Sequence, residues 1–171
     1  GVPLYYPAPP GVVGLAREEG IPILGDIEIL HRCETSRQTI AITGTNGKST
    51  TTALIAHILQ AAKIDAVIGG NIGKPVLDLK MPAKDGVFVL EMSSYQIDLC
   101  PAFRPDFAVL LNLSPDHLDR HGTMEKYAAA KERLFEGNGV AVCGIDDDFS
   151  LSIYDRAVKA GFRRMIPVSV K

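Results

Sequence analysis

No stretch of about 18 apolar residues occurs anywhere in the chain, so no transmembrane helix is expected. The first residues lack the basic-then-apolar order of a secretory signal. Basic residues are scattered without a tract, and the net charge is −2. Nucleic acid and anionic membranes are therefore not expected as partners. Cysteine is scarce, with Cys33, Cys100 and Cys143 widely spaced and no Cys-x-x-Cys. That usage fits reduced thiols packed as small hydrophobes in a cytoplasmic protein. An internal repeat and a low-complexity tract are also lacking. The chain opens on Gly1-Val2-Pro3-Leu4 with no initiator methionine, and it is expected to begin inside a larger protein.

What is present fits a globular α/β protein. The 171 residues suffice for one α/β domain and a small appendage, and 46% of them are apolar. A domain of ~150 residues buries roughly 70% of its unfolded surface, so it needs no disulfide or metal staple.

Residues 1–11 carry four prolines and read as extended or turn-like. Residues 12–19 suit a short helix, 21–24 a short strand, 27–33 another helix and 34–38 a polar linker. Strand and helix then alternate. Strands are predicted at 39–43, 66–68, 87–92, 107–111, 140–143 and 165–170. Helices are predicted at 48–62, 123–136 and 150–160, with a helical turn at 75–79. Leu54, Ile55, Ile58 and Leu59 recur at helical spacing. Near-continuous apolar strands separated by helices predict a mostly parallel sheet with helices on both faces. Ligands of such sheets sit beyond the carboxyl ends of the strands.

The most informative stretch is Ile40-Ala41-Ile42-Thr43-Gly44-Thr45-Asn46-Gly47-Lys48-Ser49. An apolar strand meets a glycine turn, and a helix follows at once. Such a loop aims backbone N–H groups and a helix dipole at one point, where a polyphosphate fits. Lys48 would reach the β- and γ-phosphates, and the Ser49 hydroxyl would ligate Mg²⁺. The generic phosphate-loop pattern has a glycine where this chain has Ile42. The plainer alternative is a glycine turn with a surface lysine.

Further candidates also follow strands. Glu91 ends the apolar run Val87-Phe88-Val89-Leu90, where a carboxylate is costly unless it is paired or bound to metal. It reads as a Mg²⁺ ligand or as a capping or salt-bridged glutamate. Ser93 and its neighbours could add hydroxyl contacts. Two histidines and two aspartates fall between Asp116 and His121. His117 could ligate a second metal ion with Asp116 orienting its ring, or it could be structural. Lys131 shares a helix face with Tyr127, Leu134 and Phe135. It is either a desolvated, reactive amine or a snorkelling lysine. Asn71, in Gly70-Asn71-Ile72-Gly73, reads as a contact to substrate or phosphate, or as a turn residue.

Together these segments resemble the ATP-dependent Mur ligases of peptidoglycan synthesis. Gly44-Thr45-Asn46-Gly47-Lys48-Ser49-Thr50 looks like the family's shortened phosphate loop. Gly69-Gly70-Asn71-Ile72-Gly73, Leu90-Glu91-Met92-Ser93-Ser94-Tyr95-Gln96, Asp116-His117-Leu118-Asp119-Arg120-His121 and Tyr127-Ala128-Ala129-Ala130-Lys131 are similar too. Gly25-Asp26-Ile27-Glu28 resembles the end of the family's N-terminal domain. The likeness spans nearly the whole chain and weakens after Asp148. Gly144-Ile145-Asp146-Asp147 departs from it, because the family usually has asparagine at the first position.

The resemblance implies a three-domain enzyme. Residues 1–37 would end a UDP-binding domain, 38–171 would form much of the central ATP-binding domain, and the amino-acid-binding domain would be absent. The nearest branch joins D-glutamate to UDP-N-acetylmuramoyl-L-alanine through an acyl phosphate. Gly44, Thr45, Asn46, Gly47, Lys48, Ser49 and Thr50 would bind ATP. Ser49 and Glu91 would hold one Mg²⁺; His117 and a carbamylated Lys131 would hold a second. Lys48, Lys131 and His117 would be catalytic, and Asn71 and Ser93 would touch substrate. The parent is expected to be a monomeric, cytoplasmic bacterial enzyme. A sister ligase adding another amino acid, a folylpolyglutamate-type ligase and an inactive nucleotide-binding module are the alternatives.

Overall fold

The computed structural model describes residues 11–34, 36–161 and 164–171. The predicted extended segment at 1–11 lies, up to residue 10, outside the described residues. Six strands form one parallel sheet: β1 (Gln38–Thr43), β2 (Ala66–Gly70), β3 (Val87–Glu91), β4 (Phe107–Leu110), β5 (Val140–Gly144) and β6 (Arg164–Val168). Their spatial order is β2-β3-β1-β4-β5-β6, and every pairing is parallel. β1 is therefore flanked by β3 and β4, and the loop leaving it has a strand end on either side.

Side-chain alternation divides the sheet into two cores. Ile42, Val87 and Val89 point to one face and pack with Ala56 of α3 (Lys48–Ala61). Ala41, Phe88, Leu90, Ala108, Leu110, Ala141 and Cys143 point to the other. There they meet Ile27 and Leu30 of α2 (Asp26–Cys33), Tyr127 and Ala128 of α6 (Met124–Glu132), and Ile153 and Ala157 of α7 (Asp148–Ala160). The predicted architecture, a parallel sheet with helices on both faces, is the one observed. No helix among the described residues is long and apolar enough to cross a membrane.

Several local expectations are corrected. Residues 21–24 form no strand. Pro22 lacks an N–H for a ladder, and Ile21 is exposed. α1 (Val12–Glu18) buries none of its residues. The helix predicted at 123–136 is α6 followed by a 3₁₀ turn at Arg133–Phe135, a common way for a last turn to tighten. Two short helices were not anticipated, α4 (Ser94–Asp98) and α5 (Leu118–His121). On α3, Leu54 and Ile58 are exposed, while Thr52 and Ala56 are buried and Ile55 and Leu59 pack half-buried against the sheet, so only two of the four predicted apolar positions face the core.

Candidate active site

The phosphate-loop segment is built by the strand beside it. Asn46 N–H donates to Asn112 Oδ1 at 2.9 Å, and Asn112 Nδ2 returns a bond to the Asn46 carbonyl at 3.1 Å. Thr45 N–H donates to the Asn112 carbonyl at 2.9 Å. The Thr45 hydroxyl donates to the Ser114 carbonyl at 3.2 Å and accepts from Ser114 N–H at 3.0 Å. The loop after β4 thus fixes the loop after β1. Lys48 Nζ donates to the Thr45 carbonyl at 2.7 Å, folding the lysine over its own loop. No side chain caps α3, and its first turn carries no acidic residue. The start of the helix is left to an anion.

Glu91 follows from alternation. It falls two residues after Val89, so its side chain leaves β3 on the α3 face. There Ser49 Oγ donates to Glu91 Oε2 at 2.7 Å, and Asn71 Nδ2 donates to Oε1 at 3.0 Å. The carboxylate is 2% exposed. No ion pair found among the described residues involves it. A buried carboxylate beside a hydroxyl, with no protein cation, is a hard-oxygen donor set that fits Mg²⁺.

Thr43 leaves β1 on the opposite face. Its hydroxyl donates to the Met92 carbonyl at 2.8 Å and accepts from Lys131 Nζ at 3.1 Å. Lys131 also donates to the Gly44 carbonyl at 3.0 Å, and its Nζ lies 4.8 Å from the Tyr127 ring centroid. The lysine is 2% exposed. Burial first, and the Lys48 charge second, push its pKa down to about 7. Its head group is buried and bonded to protein oxygens, so this lysine does not snorkel to water. The Tyr127 hydroxyl sits 3.3 Å from Thr45 Oγ1, and burial pushes the phenol above its ordinary range.

His117 begins α5 in the left-handed region, at φ +51°. Its ring packs edge-on to Tyr95 and Tyr127, with centroids 5.1 and 6.5 Å away. Asp116 Oδ1 accepts from the His117 N–H at 2.9 Å, while Oδ2 is 3.5 Å from Nε2. No group of three His, Cys, Asp or Glu side chains suited to a metal exists among the described residues. Next along, His121 Nε2 lies 2.9 Å from Ser94 Oγ, and burial pushes this ring below the usual histidine range.

The structure brings residues 44–50, Glu91 and Asn71 together, with Lys131 on the far side of the same loop. It places Ser93 elsewhere in the hydrogen-bond pattern, as the N-cap of α4. Its hydroxyl bonds Gln96 N–H at 3.3 Å, and its N–H bonds Gln96 Oε1 at 3.1 Å. Reading the sequence missed Thr43, Asn112 and the Ser94–His121 pair. Asn112 directly follows a strand, which was the available signal. A cavity of about 480 Å³ adjoins the loop, lined by Asn46, Asn112, Gly144, Asp146, Asp147 and Val168 among others. At Gly144 a Cβ would overlap the Leu111 carbonyl oxygen, so in this backbone position asparagine does not fit.

Residues 42–171 match the family described as the Mur ligase middle domain. A UDP-N-acetylmuramoylalanine–D-glutamate ligase from Chelativorans is 54% identical over 165 residues, covering 94% of this chain and 35% of that protein. One so named from Nitrobacter winogradskyi is 52% identical, covering 100% of this chain and 38% of that one. The chain thus spans little more than a third of these relatives. Among solved structures, the MurF ligase of Thermotoga maritima in complex with ADP superposes with a TM-score of 0.64 at 26% identity, over 78% of this chain and 33% of that one. A UDP-N-acetylmuramoyl-L-alanyl-D-glutamate–2,6-diaminopimelate ligase gives 0.64 at 25% identity, over 85% and 37%. The chain belongs to the Mur ligase middle-domain family.

Proposed function

We propose that this chain is the nucleotide-binding part of an ATP-dependent ligase that joins D-glutamate to UDP-N-acetylmuramoyl-L-alanine. The single observation that carries the chemical reading is the Ser49–Glu91 pair at the uncapped start of α3, one residue from Lys48. The relatives' names supply the substrates. In this reading residues 1–37 end a UDP-binding domain and 38–171 belong to the ATP-binding one.

Residues 44–50 wrap the triphosphate, and Lys48 leaves the Thr45 carbonyl for the β- and γ-phosphoryl oxygens. Ser49 and Glu91 hold Mg²⁺. The ion supplies charge neutralisation for phosphoryl transfer to the alanyl carboxylate. The amine of D-glutamate then attacks the acyl phosphate, the amide forms and phosphate leaves. The cavity beside Asn46 is open to the rest of the nucleotide. As an amine Lys131 offers no oxygen to a hard cation such as Mg²⁺, so a second Mg²⁺ on His117 would depend on a carbamate there. The amine's lowered pKa supports that modification, because the neutral form is the one that reacts with carbon dioxide.

By itself the chain acts as a nucleotide-binding module without ligation, a reading favoured by its covering about a third of its relatives. Calorimetric titration with ATP and Mg²⁺ tests the nucleotide site. The chain should bind, and Lys48→Ala should weaken binding at least ~10-fold, as loss of a charged phosphate contact does. Equal binding by both would remove the phosphate-loop assignment.

A further inference from the structure

Asn71 read from the sequence as a contact to substrate or phosphate, or as a turn residue, and in the structure its bonds go to Glu91. The register pairs Gly70 of β2 with Glu91 of β3. One residue later, Asn71 N–H donates to the Glu91 carbonyl at 2.8 Å, and Asn71 Nδ2 donates to Glu91 Oε1 at 3.0 Å. The same residue therefore holds the main chain and the carboxylate of Glu91. Ser49 takes the other oxygen at 2.7 Å. Each carboxylate oxygen thus has one neutral donor, from opposite sides, and the plane of the carboxylate is fixed.

This two-point hold needs Gly70. Its φ is +94°, and a Cβ there would overlap the Glu91 carbonyl oxygen. Only glycine lets the end of β2 come this close, and that approach carries Asn71 over Glu91. Asn71 is itself exposed while Glu91 is buried, so the amide covers the carboxylate from the solvent side.

We infer that Asn71 is a positioning residue that acts through Glu91, keeping Oε1 engaged so that Oε2 stays directed at Ser49, with which it would hold the cation. The inference rests on the assignment of Mg²⁺ to Ser49 and Glu91. Partners that orient a ligating carboxylate commonly contribute 10–100-fold to metal affinity. Asn71 holds Oε1 independently of Ser49, so the orientation of the carboxylate would not depend on the Ser49–Glu91 hydrogen bond when these two residues hold the cation.

The test is ATP binding by this chain, titrated with and without Mg²⁺, in wild type, Asn71→Ala, Asn71→Leu, Glu91→Gln and the Asn71→Ala/Glu91→Gln double variant. Leucine has a similar volume without the donor and serves if alanine perturbs folding, which circular dichroism reports. We expect Mg²⁺ to tighten ATP binding in the wild type. Removing the Asn71 amide should cut that tightening about 10-fold and leave metal-free affinity within about twofold. In the Glu91→Gln background Asn71→Ala should add nothing. Unchanged Mg²⁺ tightening in Asn71→Ala and Asn71→Leu, an equal loss with and without metal, or full additivity in the double variant would overturn the inference. Loss of the tightening in Glu91→Gln alone would spare the magnesium assignment while removing the role of Asn71. No tightening in the wild type would remove both.

Discussion

Lys131 Nζ donates to the Thr43 hydroxyl across 3.1 Å, joining α6 to the last residue of β1 directly beneath the phosphate loop. No carboxylate forms an ion pair with this buried amine among the described residues. Its two acceptors are neutral oxygens, and the chain bears the cost of holding a cation there.

That cost has a pH signature. Lys131 falls from an ordinary 10.5 to about 7 on folding, chiefly through burial. Between those values the unfolded chain binds more protons, so unfolding free energy rises with pH, at most by about 1.4 kcal/mol per unit. Below about 7 the penalty is present in full. Cys100 and Cys143, raised by burial from 9 to about 12, oppose the rise above 9. Urea unfolding between pH 7 and 9 should show the increase, and Lys131→Met should flatten it. The same slope in both proteins would contradict the assignment.

The cysteines make a second prediction. Cys33 is exposed, whereas Cys100 and Cys143 are buried with raised pKa values. Thiolate is the reactive form. Iodoacetamide at pH 8 should therefore modify Cys33 in the native chain and all three cysteines in urea. Mass spectrometry counts the adducts, and rapid native labelling of Cys100 would show that α2 is not docked as described.

Glu28 explains why that docking matters. Its carboxylate is fully buried and accepts from Ala102 N–H at 3.1 Å, Phe103 N–H at 3.1 Å and Arg32 Nε at 2.8 Å. Neighbouring Ile27 and Leu30 enter the main core. Glu28→Ala leaves two backbone donors unpaired, at roughly 1–3 kcal/mol each. A loss of about 2–5 kcal/mol in urea unfolding is expected, with Glu28→Gln less harmful because one acceptor remains. A loss below about 0.5 kcal/mol, the range of ordinary surface substitutions, would contradict this role.

The distribution of what was readable in the sequence is physical. β3 was visible because both of its faces are buried, which leaves a continuous apolar run, and β4 because Phe107-Ala108-Val109-Leu110 is apolar throughout although Phe107 is exposed. Glu91 was visible because it breaks such a run. The pairings Asn71–Glu91 and Asn46–Asn112 were not, because they depend on β2 lying beside β3 and β1 beside β4, and hydrophobic period carries no strand order. α4 and α5 have five and four residues, too few to show a helical period. The cap of α4 was nonetheless written in Ser93-Ser94-Tyr95-Gln96, a Ser-x-x-Gln capping box. Lys131 was ambiguous on spacing, and the buried Thr43 and Gly44 oxygens decided it.

The most direct measurement is phosphate release by a full-length ligase of this family carrying this chain as its middle part, with ATP, Mg²⁺ and UDP-N-acetylmuramoyl-L-alanine, across a panel of amino acids, with this chain assayed alongside. The account predicts release with D-glutamate, loss of that release in Glu91→Gln, and no release from the chain alone. Release with a different amino acid, or undiminished release in Glu91→Gln, would contradict it.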